Sequence, residues 1–533
     1  MDAATRDRLE REALPAFLPR QRWFASKART VAAVRVVDAA PLIGATPPTF
    51  AEASEVAPLL ILIEVGFHGG AAETYFVPLV RATGPAGGRL APGAILSRLD
   101  GPGEAEVIAD ALADDAACAA LLAVIEAGHR LKTQSGEIRA LPTTVYAEAR
   151  GPTDRPLTIA RGTAEQSNSA VLYGDQLILK VFRRLEPGIN PDFEIGRFLS
   201  ERTTFDRIPK TAGALEYDRP GAEPITLAIL QGLVPNQGTG WEHALDELER
   251  YYARVSLRAD DPSAPGAAEV IGAYRDDATR LGQRTAELHL ALASDPNDPN
   301  FAPEPLTTAD LAALARDIRD QVERALSALR DKLGDLPPQT IGQARRALDG
   351  VPRLMGPLDD LPALATGATK IRLHGDYHLG QVLWANGDYV ILDFEGEPAR
   401  PLVKRREKQS PLKDVVGMLR SFDYAAYAGL FAFTRDRPGA FERLTPWARA
   451  WRDGTSAAFL GAYFATTQGA SFLPAEEAHR DLLLRSFTLE KALYELLYEL
   501  NNRPDWVRIP LQGILALVEQ GGLEPEKGPL IKR

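Results

Sequence analysis

The residues best suited to chemistry lie in residues 371–400, which read IRLHGDYHLGQVLWANGDYVILDFEGEPAR. Asp376 is a candidate to accept the proton of an attacking hydroxyl group, and Gly375 beside it allows the backbone to bend. Asp393 and the amide oxygen of Gln381 are hard oxygen ligands of the kind that Mg²⁺ prefers. Phosphoryl transfer needs positioning and charge neutralisation more than covalent chemistry, and these residues would supply both.

A β-hairpin is predicted to bring these groups together. Asn386-Gly387 is a typical type I′ turn sequence, so Val382–Ala385 and Tyr389–Leu392 should pair as antiparallel strands. The candidate base and Gln381 precede the first strand, and Asp393 follows the second. Because a hairpin folds back on itself, both ends meet at one edge. Two carboxylates distant in sequence can then share a divalent cation and a phosphoryl group.

The same stretch admits a second class of site. His374, Asp376, His378 and Asp393 could form a transition-metal hydrolase centre, since His-x-Asp-x-His recurs in such centres. We expect His374 to hold the loop backbone by hydrogen bonds and not to bind a metal. His378 is expected either to support the metal ligands or to be packed. The hydrolase hypothesis also leaves the upstream Lys180 without a task. An inactive scaffold is disfavoured, because every residue that phosphoryl transfer needs is present.

Upstream residues follow the order of a kinase N-terminal lobe: strand, polar loop, strand, strand with a lysine, helix with a glutamate. The polar loop is Gly162–Ser169, the third strand is Leu177–Phe182 with Lys180, and the helix is Phe193–Ser200 with Glu194. Lys180 would reach the α- and β-phosphates of a nucleotide, with Glu194 fixing its ammonium group. The alternative is an edge-strand lysine that faces solvent.

Two connecting segments supply the other predicted nucleotide contacts. Backbone N–H groups of the polar loop would hold triphosphate oxygens, together with the side chains of Gln166, Ser167, Asn168 and Ser169. The loop lacks the G-x-G-x-x-G spacing, and no G-x-x-x-x-G-K-[ST] occurs in the chain. Gln231–Gly240 follows an apolar strand at the position of a kinase hinge. Its backbone, at Gln231 and Leu233, would pair with an adenine edge.

A helix predicted over Glu490–Trp506 is the candidate acceptor site. Two tyrosines four residues apart and two glutamates four residues apart put aromatic and acidic groups on one helical face. Tyrosines pack on sugar rings, and carboxylates accept hydrogen bonds from sugar hydroxyls. The candidate substrate residues are Asp376, His378, Lys491, Tyr494, Glu495, Tyr498, Glu499 and Arg503. The alternative is an amphipathic helix whose i,i+4 pairs have no ligand.

Composition limits the classes of partner. The 533 residues are 45% hydrophobic and 25% charged, as in an ordinary globular protein. The net charge of −11 argues against a nucleic-acid or anionic-membrane binder. The single cysteine, Cys118, excludes an intrachain disulfide and a cysteine-based zinc site. The charged N-terminus does not resemble a signal peptide, and no apolar run is long enough to span a bilayer. We therefore expect a cytoplasmic protein.

The chain is long enough for several domains. Residues 1–150 are predicted to form a cap and intermediate region, residues 151–235 a β-rich lobe, and residues 236–533 a helical lobe with the catalytic and sugar sites. In the cap, Arg20–Lys27 (RQRWFASK) is interpreted as surface cations packed on an aromatic side chain. Arg400–Ser410 (RPLVKRREKQS) is a basic loop that faces either solvent or phosphate.

The motif H-G-D-x-H-x-x-Q at His374–Gln381, followed by D-F-E-G-E, resembles the aminoglycoside-phosphotransferase and choline-kinase branch of the protein-kinase-like fold. In that branch Asn usually stands where Gln381 is; the longer amide should still reach the metal. More narrowly, the chain is similar to the bacterial maltokinase family along nearly its whole length. The similar segments are 18–27 (LPRQRWFASK), 164–169, 179–184 (LKVFRR), 231–241, 374–400, 410–424 (SPLKDVVGMLRSFDY) and 490–506.

The resemblance implies an α+β, bilobal protein-kinase-like fold, with a β-rich N-lobe and a helical C-lobe, preceded by an N-terminal α/β cap domain. It implies ATP, Mg²⁺ and phosphorylation of maltose to maltose 1-phosphate at the anomeric hydroxyl, feeding α-glucan (glycogen) synthesis from trehalose. Trehalose synthase is an implied partner, and the expected state is a monomer or homodimer. A kinase of glucosamine, another sugar or an aminoglycoside shares the core motifs and stays an alternative.

Overall fold

A computed structural model describes residues 2–42, 57–99, 106–162, 167–257, 271–364, 367–437 and 439–519. The chain forms two compact units. Unit 1 comprises Met1–Pro235 with Pro401–Val403, and unit 2 comprises Asn236–Arg400 with Lys404–Arg533.

Unit 1 is rich in strands. In chain order these are β1 (Val31–Pro41), β2 (Leu59–Phe67), β3 (Glu73–Thr83), β4 (Ile95–Leu99), β5 (Glu106–Asp110), β6 (Arg130–Lys132), β7 (Glu137–Pro142), β8 (Ile159–Arg161), β9 (Asn168–Tyr173), β10 (Leu177–Phe182), β11 (Arg184–Leu185), β12 (Thr211–Asp218) and β13 (Ile225–Gly232). Its helices are α1 (Ala3–Arg8), α2 (Leu14–Phe17), α3 (Gly84–Arg89), α4 (Asp115–Ala127), α5 (Tyr146–Arg150) and α6 (Pro191–Arg202).

Two antiparallel sheets organise these strands. Over the described residues, the first sheet has the order β1-β2-β3-β5-β4, with β11 also pairing with β3. The second has the order β6-β7-β12-β13-β10-β9-β8. Strands from both sides of residue 150 therefore share the second sheet, because β7 pairs with β12. β2 and β3 are almost continuously apolar and buried, as expected for strands in the middle of a sheet.

The cluster at residues 20–27 has aromatic side chains in the core and cations at the surface. Trp23 and Phe24 are buried against Tyr75 of β3, with ring centroids 6.2 and 5.2 Å from the Tyr75 ring. The exposed cations are Arg20, Arg22 and Lys27. The cluster thus anchors the N-terminal helices on the first sheet through its aromatic rings.

Arg183, directly after β10, links the two sheets. Its side chain is 2% exposed, and its guanidinium lies 4.7 Å from the Trp23 ring centroid. It donates to Asp110 Oδ2 at the end of β5 (2.6 Å) and to Ser169 Oγ in β9 (2.8 Å). Since a buried guanidinium is costly unless paired, these bonds fix the strand that carries Lys180 relative to the first sheet.

From residue 236 onward the chain is mostly helical. The helices are α7 (Gly240–Ser256), α8 (Tyr274–Leu292), α9 (Thr308–Asp331), α10 (Pro338–Gly350), α11 (Leu402–Arg405), α12 (Leu412–Thr434), α13 (Ala440–Thr466), α14 (Glu477–Asn502) and α15 (Arg508–Glu519). The strands are β14 (Glu304–Pro305), β15 (Thr369–Lys370), β16 (Val382–Ala385) and β17 (Asp388–Ile391).

The boundaries of α14 and α6 differ from those predicted, and α14 starts thirteen residues before the predicted Glu490. α14 begins at Glu477 and ends at Asn502, four residues before the predicted end, because Pro504 opens a separate 3₁₀ turn. α6 spans Pro191–Arg202, two residues beyond each end of the predicted Phe193–Ser200, because Asn190 caps it by accepting the backbone N–H of Asp192.

Candidate active site

A buried carboxylate holds the backbone next to the candidate base. Asp414, in the first turn of α12, is 2% exposed and accepts the backbone N–H groups of His374 (2.8 Å) and Gly375 (3.0 Å). His289 Nε2 lies 3.3 Å from the same carboxylate. Burial alone would raise the pKa of Asp414, but the hydrogen bonds and neighbouring histidines outweigh it and lower the pKa. Asp414 therefore stays ionised as the anchor of the loop.

The predicted bend beside Asp376 is confirmed. Gly375 has a φ of +85°, a conformation that side chains rarely adopt. A Cβ atom at this position would also lie 3.2 Å from the Cα atom of Gly396. Any other residue would strain the backbone that presents the Asp376 carboxylate.

His374 braces the loop through both ring nitrogens. Nε2 lies 2.7 Å from the Leu392 carbonyl oxygen, and Nδ1 accepts the backbone N–H of Asp376 at 3.3 Å. Because a carbonyl oxygen only accepts, Nε2 carries the proton and neither nitrogen offers a lone pair to a metal. His378 Nδ1 likewise accepts the backbone N–H of Gly380 at 3.0 Å. The hydrolase hypothesis thus loses His374 as a ligand.

The hairpin after this loop is confirmed. β16 and β17 pair antiparallel, and the turn residues Asn386 and Gly387 have φ values of +52° and +75°. Two successive positive φ values are those of a type I′ turn. The second strand starts at Asp388, one residue earlier than predicted.

The two ends of the hairpin bring the predicted metal ligands into contact. Gln381 Nε2 donates to Asp393 Oδ2 at 3.1 Å. Asp393 has a φ of +61°, which costs about 1–3 kcal/mol for a residue other than glycine and is typical of functional sites. The amide oxygen of Gln381 and the Asp393 carboxylate are the oxygen donors that suit Mg²⁺. The residues present therefore fit this ion.

A cavity of about 510 Å³ opens beside Asp376. It is lined by the eight candidate substrate residues: Asp376, His378, Lys491, Tyr494, Glu495, Tyr498, Glu499 and Arg503. Trp241, Tyr424 and Trp506 line it as well. Tyr494 and Tyr498 are 38% and 48% exposed, as aromatic platforms for a ring must be. We call it the acceptor cavity.

The two glutamates of this cavity are held by arginines. Arg420 donates twice to Glu495 Oε2, from Nε (2.9 Å) and Nη2 (2.7 Å). Arg503 donates to both oxygens of Glu499, at 2.9 and 2.6 Å, and the Tyr424 hydroxyl donates to Glu499 at 3.1 Å. Each carboxylate therefore has a paired cation. Neither glutamate therefore places an uncompensated negative charge in the cavity.

Lys491 is partly exposed and lies near two carboxylates. Its Nζ lies 3.2 Å from Glu397 Oε1, and it lines the acceptor cavity together with Asp376. Burial would lower the pKa of Lys491, but Glu397 and Asp376 outweigh burial and raise it. Glu397, for which no role was predicted, thus keeps the Lys491 ammonium group charged beside Asp376.

In unit 1, Lys180 is 7% exposed on β10, and its Nζ lies 3.5 Å from Asp192 Oδ2. Asp192 lies in the first turn of α6. Glu194 follows two residues later on α6, and its pairing with Lys180 stays a prediction. A buried lysine with an acidic partner is consistent with a phosphate-binding ammonium group.

The predicted phosphate loop is described in part. Gln166 lies outside the described residues. Ser167 is exposed and Asn168 begins β9. The Ser169 hydroxyl accepts a hydrogen bond from Arg183 Nε at 2.8 Å. The nucleotide contacts of these residues stay predictions.

The predicted hinge backbone is partly engaged. Gln231 lies within β13, opposite Ile178 and Thr211. Leu233 donates its backbone N–H to the Gln176 carbonyl oxygen at 2.7 Å. An adenine contact at Leu233 would therefore use its carbonyl oxygen, and the contact itself stays a prediction.

The residues that sequence reasoning missed are Asp192, Glu397, Asp414 and Arg420. Asp414 and Arg420 lie four and ten residues past Ser410, the last residue of the predicted basic loop. A signal existed for both: charged side chains at intervals along an otherwise apolar helix must be paired when that helix is buried. The partners themselves are not visible in the sequence.

Known proteins resemble both the cap and the remainder of the chain. A family model for the maltokinase N-terminal cap domain matches residues 17–114. A glucosamine kinase from Streptacidiphilus jiangxiensis is 31% identical over 360 residues, which are 67% of this chain and 72% of that protein. The chain belongs to the glucosamine kinase family. It is a sugar kinase.

Further comparisons agree with this family. A glucosamine kinase from Mycolicibacterium smegmatis is 27% identical over 374 residues, which are 70% of this sugar kinase and 81% of that protein. The structure of a glucosamine kinase in complex with glucosamine, ADP and inorganic phosphate superposes with a TM-score of 0.57 at 23% identity, covering 91% of this chain and 93% of that one. The predicted kinase-like fold behind a maltokinase-type cap is confirmed.

A helix that crosses a bilayer needs about 20 consecutive, mostly apolar residues. Within the described residues, no helix combines the length and the apolar character that a membrane crossing requires.

Proposed function

We propose that this sugar kinase transfers the γ-phosphoryl group of ATP to the anomeric hydroxyl of maltose, giving maltose 1-phosphate. The observation that carries the proposal is the acceptor cavity, where Glu495 and Glu499 each have an arginine partner. Paired carboxylates suit the hydroxyl groups of a neutral sugar, whereas the ammonium group of glucosamine favours an unpaired one. The aromatic residues Tyr494, Tyr498 and Trp506 offer platforms for more than one sugar ring.

In the proposed reaction, Asp376 accepts the proton of the anomeric hydroxyl as that oxygen bonds to the γ-phosphorus. The bond between the γ-phosphorus and the β,γ-bridging oxygen breaks, and ADP is released with that oxygen. Gln381 and Asp393 would hold Mg²⁺, which neutralises phosphate charge when bound. From unit 1, Lys180 would contact phosphate oxygens, with Asp192 stabilising its charge. Lys491 would orient the acceptor beside the base.

Glucosamine is the second candidate acceptor. It is favoured by the names of the relatives at 31% and 27% identity. The two candidates share the base, the metal ligands and Lys180, and they differ only in what the acceptor cavity recognises.

An acceptor panel distinguishes them. Consumption of ATP would be measured with maltose, glucosamine, glucose and an aminoglycoside, and kcat/KM compared. The maltose proposal expects the highest kcat/KM with maltose, and phosphorus NMR of the product should show a phosphate ester at the anomeric carbon. Turnover of glucosamine with no signal from maltose would overturn the acceptor and leave the mechanism standing.

The maltokinase-type cap supports a wider proposal: that the product feeds α-glucan synthesis from trehalose, with trehalose synthase as a partner. Co-elution of the purified proteins in gel filtration tests the partnership. Separate elution at micromolar concentrations of both would contradict it.

A further inference from the structure

Unit 2 contains a second, larger cavity that the proposed reaction does not use. It has a volume of about 910 Å³ and is formed by α9, the segment around β14 and β15, and the basic loop that ends at Ser410. Among its described lining residues, eight are Lys or Arg and six are Asp or Glu. In a chain of net charge −11, a lining with a positive balance of two is unusual. We call it the basic cavity.

Its cations are held in position by carboxylates around the rim. Lys370 Nζ lies 2.9 Å from Asp310, and Lys408 Nζ lies 2.7 Å from Glu304 and 2.8 Å from a backbone carbonyl oxygen. Lys413 lies 3.4 Å from Glu490. Ammonium groups fixed in this way lose little further freedom when a ligand binds, and the two cations in excess of the carboxylates leave the lining positive.

A buried hydroxyl provides an independent sign of a ligand. Ser410 is 3% exposed and lines the basic cavity, and its Oγ has no hydrogen-bond partner among the described residues. Leaving a buried hydroxyl unsatisfied costs roughly 1–3 kcal/mol, and such groups are normally paired. A ligand that accepts its proton would remove this cost.

The helix that follows Ser410 adds to the same preference. α12 spans 23 residues, and its N-cap, Pro411, makes no side-chain hydrogen bond to the first turn. The N-terminus of a long helix carries a partial positive charge that favours an anion. Asp414, in the first turn of this helix, already offsets part of that charge, so the Ser410 hydroxyl and the excess of cations over carboxylates carry the preference for an anion.

We propose that the basic cavity binds the phosphate group of a small soluble molecule, either free phosphate or a phosphate ester of a sugar. A phosphate dianion would neutralise the positive balance of the lining and accept the Ser410 hydroxyl proton. The six carboxylates of the lining suit the hydroxyl groups of an attached sugar. The inference goes beyond the proposed function and does not depend on which acceptor the enzyme phosphorylates.

The basic cavity is adjacent to the catalytic residues. Arg400, Lys413 and Glu490 line it and also line a narrow pocket that contains Asp376 and Lys491. A bound phosphate would therefore lie behind the candidate base, on residues separate from those of the acceptor cavity.

Isothermal titration of the full chain tests the site. The enzyme is first saturated with a non-hydrolysable ATP analogue, Mg²⁺ and its best acceptor, and inorganic phosphate and glucose 1-phosphate are then titrated separately. We expect a further saturable event. Ser410→Ala and the double variant Arg324→Gln/Lys404→Gln should each weaken it about tenfold. Arg35→Gln, at an exposed arginine of unit 1, is the matched control and should leave it unchanged.

Each outcome decides the proposal. Tighter binding of the ester identifies a sugar phosphate as the ligand, and equal binding identifies free phosphate. Absence of a further event, or equal weakening by the control variant, overturns the site. Circular dichroism verifies that the variants fold. Failure of the ATP analogue to bind in the first step would contradict the proposed function instead, so the two failures are distinguishable.

Discussion

Asp414 accepts the backbone N–H of Gly375 at 3.0 Å, across 39 residues of sequence. The bond fixes the peptide unit next to the candidate base. In Asp414→Asn, one acceptor oxygen is replaced by an NH₂ group that cannot accept a backbone N–H. We expect the free energy of unfolding to fall by about 1.5–3 kcal/mol, and kcat to fall at least tenfold. Denaturant unfolding and steady-state kinetics measure both; an unchanged kcat would contradict the anchoring role.

The matched control is Asp276→Asn, an exposed acid in the first turn of α8. Asp276 resembles Asp414 in its helix position and differs in burial. We expect its substitution to change the free energy of unfolding by less than about 0.5 kcal/mol.

The lowered pKa of Asp414 also predicts a pH dependence. A carboxyl group whose pKa is lower in the folded protein than in the unfolded chain stabilises the folded protein at pH values above the pKa of the unfolded chain. That stabilisation is lost as pH falls through the folded pKa. We expect the difference in unfolding free energy between wild type and Asp414→Asn to be constant above about pH 5 and to shrink below about pH 4. A difference that grows on acidification would contradict this assignment.

Asp376 is expected to act in the chemical step. Asp376→Asn keeps the size of the side chain and removes the proton acceptor, so kcat should fall by about 10²–10⁴. Affinity for the ATP analogue should stay unchanged, because the nucleotide contacts are assigned to other residues. Rapid-quench measurement of the phosphoryl-transfer step checks the first expectation and calorimetry the second. Turnover at the wild-type rate would remove Asp376 from the role of base.

The contact between Gln381 and Asp393 predicts a graded response to Mg²⁺. Gln381→Leu removes an oxygen donor and should raise the Mg²⁺ concentration for half-maximal activity by roughly tenfold. Gln381→Asn, which restores the residue usual in the resembling branch, should raise it less. Titration of activity with Mg²⁺ at fixed ATP measures the series. An equal effect of both substitutions would indicate a packing role for Gln381.

The buried pair of Arg420 and Glu495 should be costly to break. Arg420 is 2% exposed and also lies in an ion pair with Asp423, so Arg420→Ala leaves two carboxylates without this cation. We expect a loss of about 3–5 kcal/mol in the free energy of unfolding. Arg35→Ala, which breaks the exposed pair with Glu64, should cost less than about 1 kcal/mol. Similar losses in both variants would be inconsistent with the burial of Arg420.

The secondary-structure elements that could be predicted are those defined by short sequence patterns. β10 follows from an apolar run after a glycine turn, and the hairpin of β16 and β17 follows from Asn386-Gly387. The acceptor residues follow from helical spacing on α14. The ionic partners were not predictable in this way. The contacts of Asp414 with Gly375, Arg420 with Glu495 and Glu397 with Lys491 join residues 39, 75 and 94 positions apart, and only the folded chain defines which groups meet.

The interleaved strands of unit 1 have a consequence for protein engineering. β11 extends the first sheet, and Asp38 of β1 accepts hydrogen bonds from Thr133 and from Tyr217 of β12, at 2.7 and 2.6 Å. The residues that match the cap family are thus bonded to later strands, and Tyr217 lies 179 residues after its partner Asp38. A cut at residue 114 therefore cannot remove the cap or replace it with that of a homologue without breaking these contacts. An exchange that keeps both sheets whole has to include everything through Pro235.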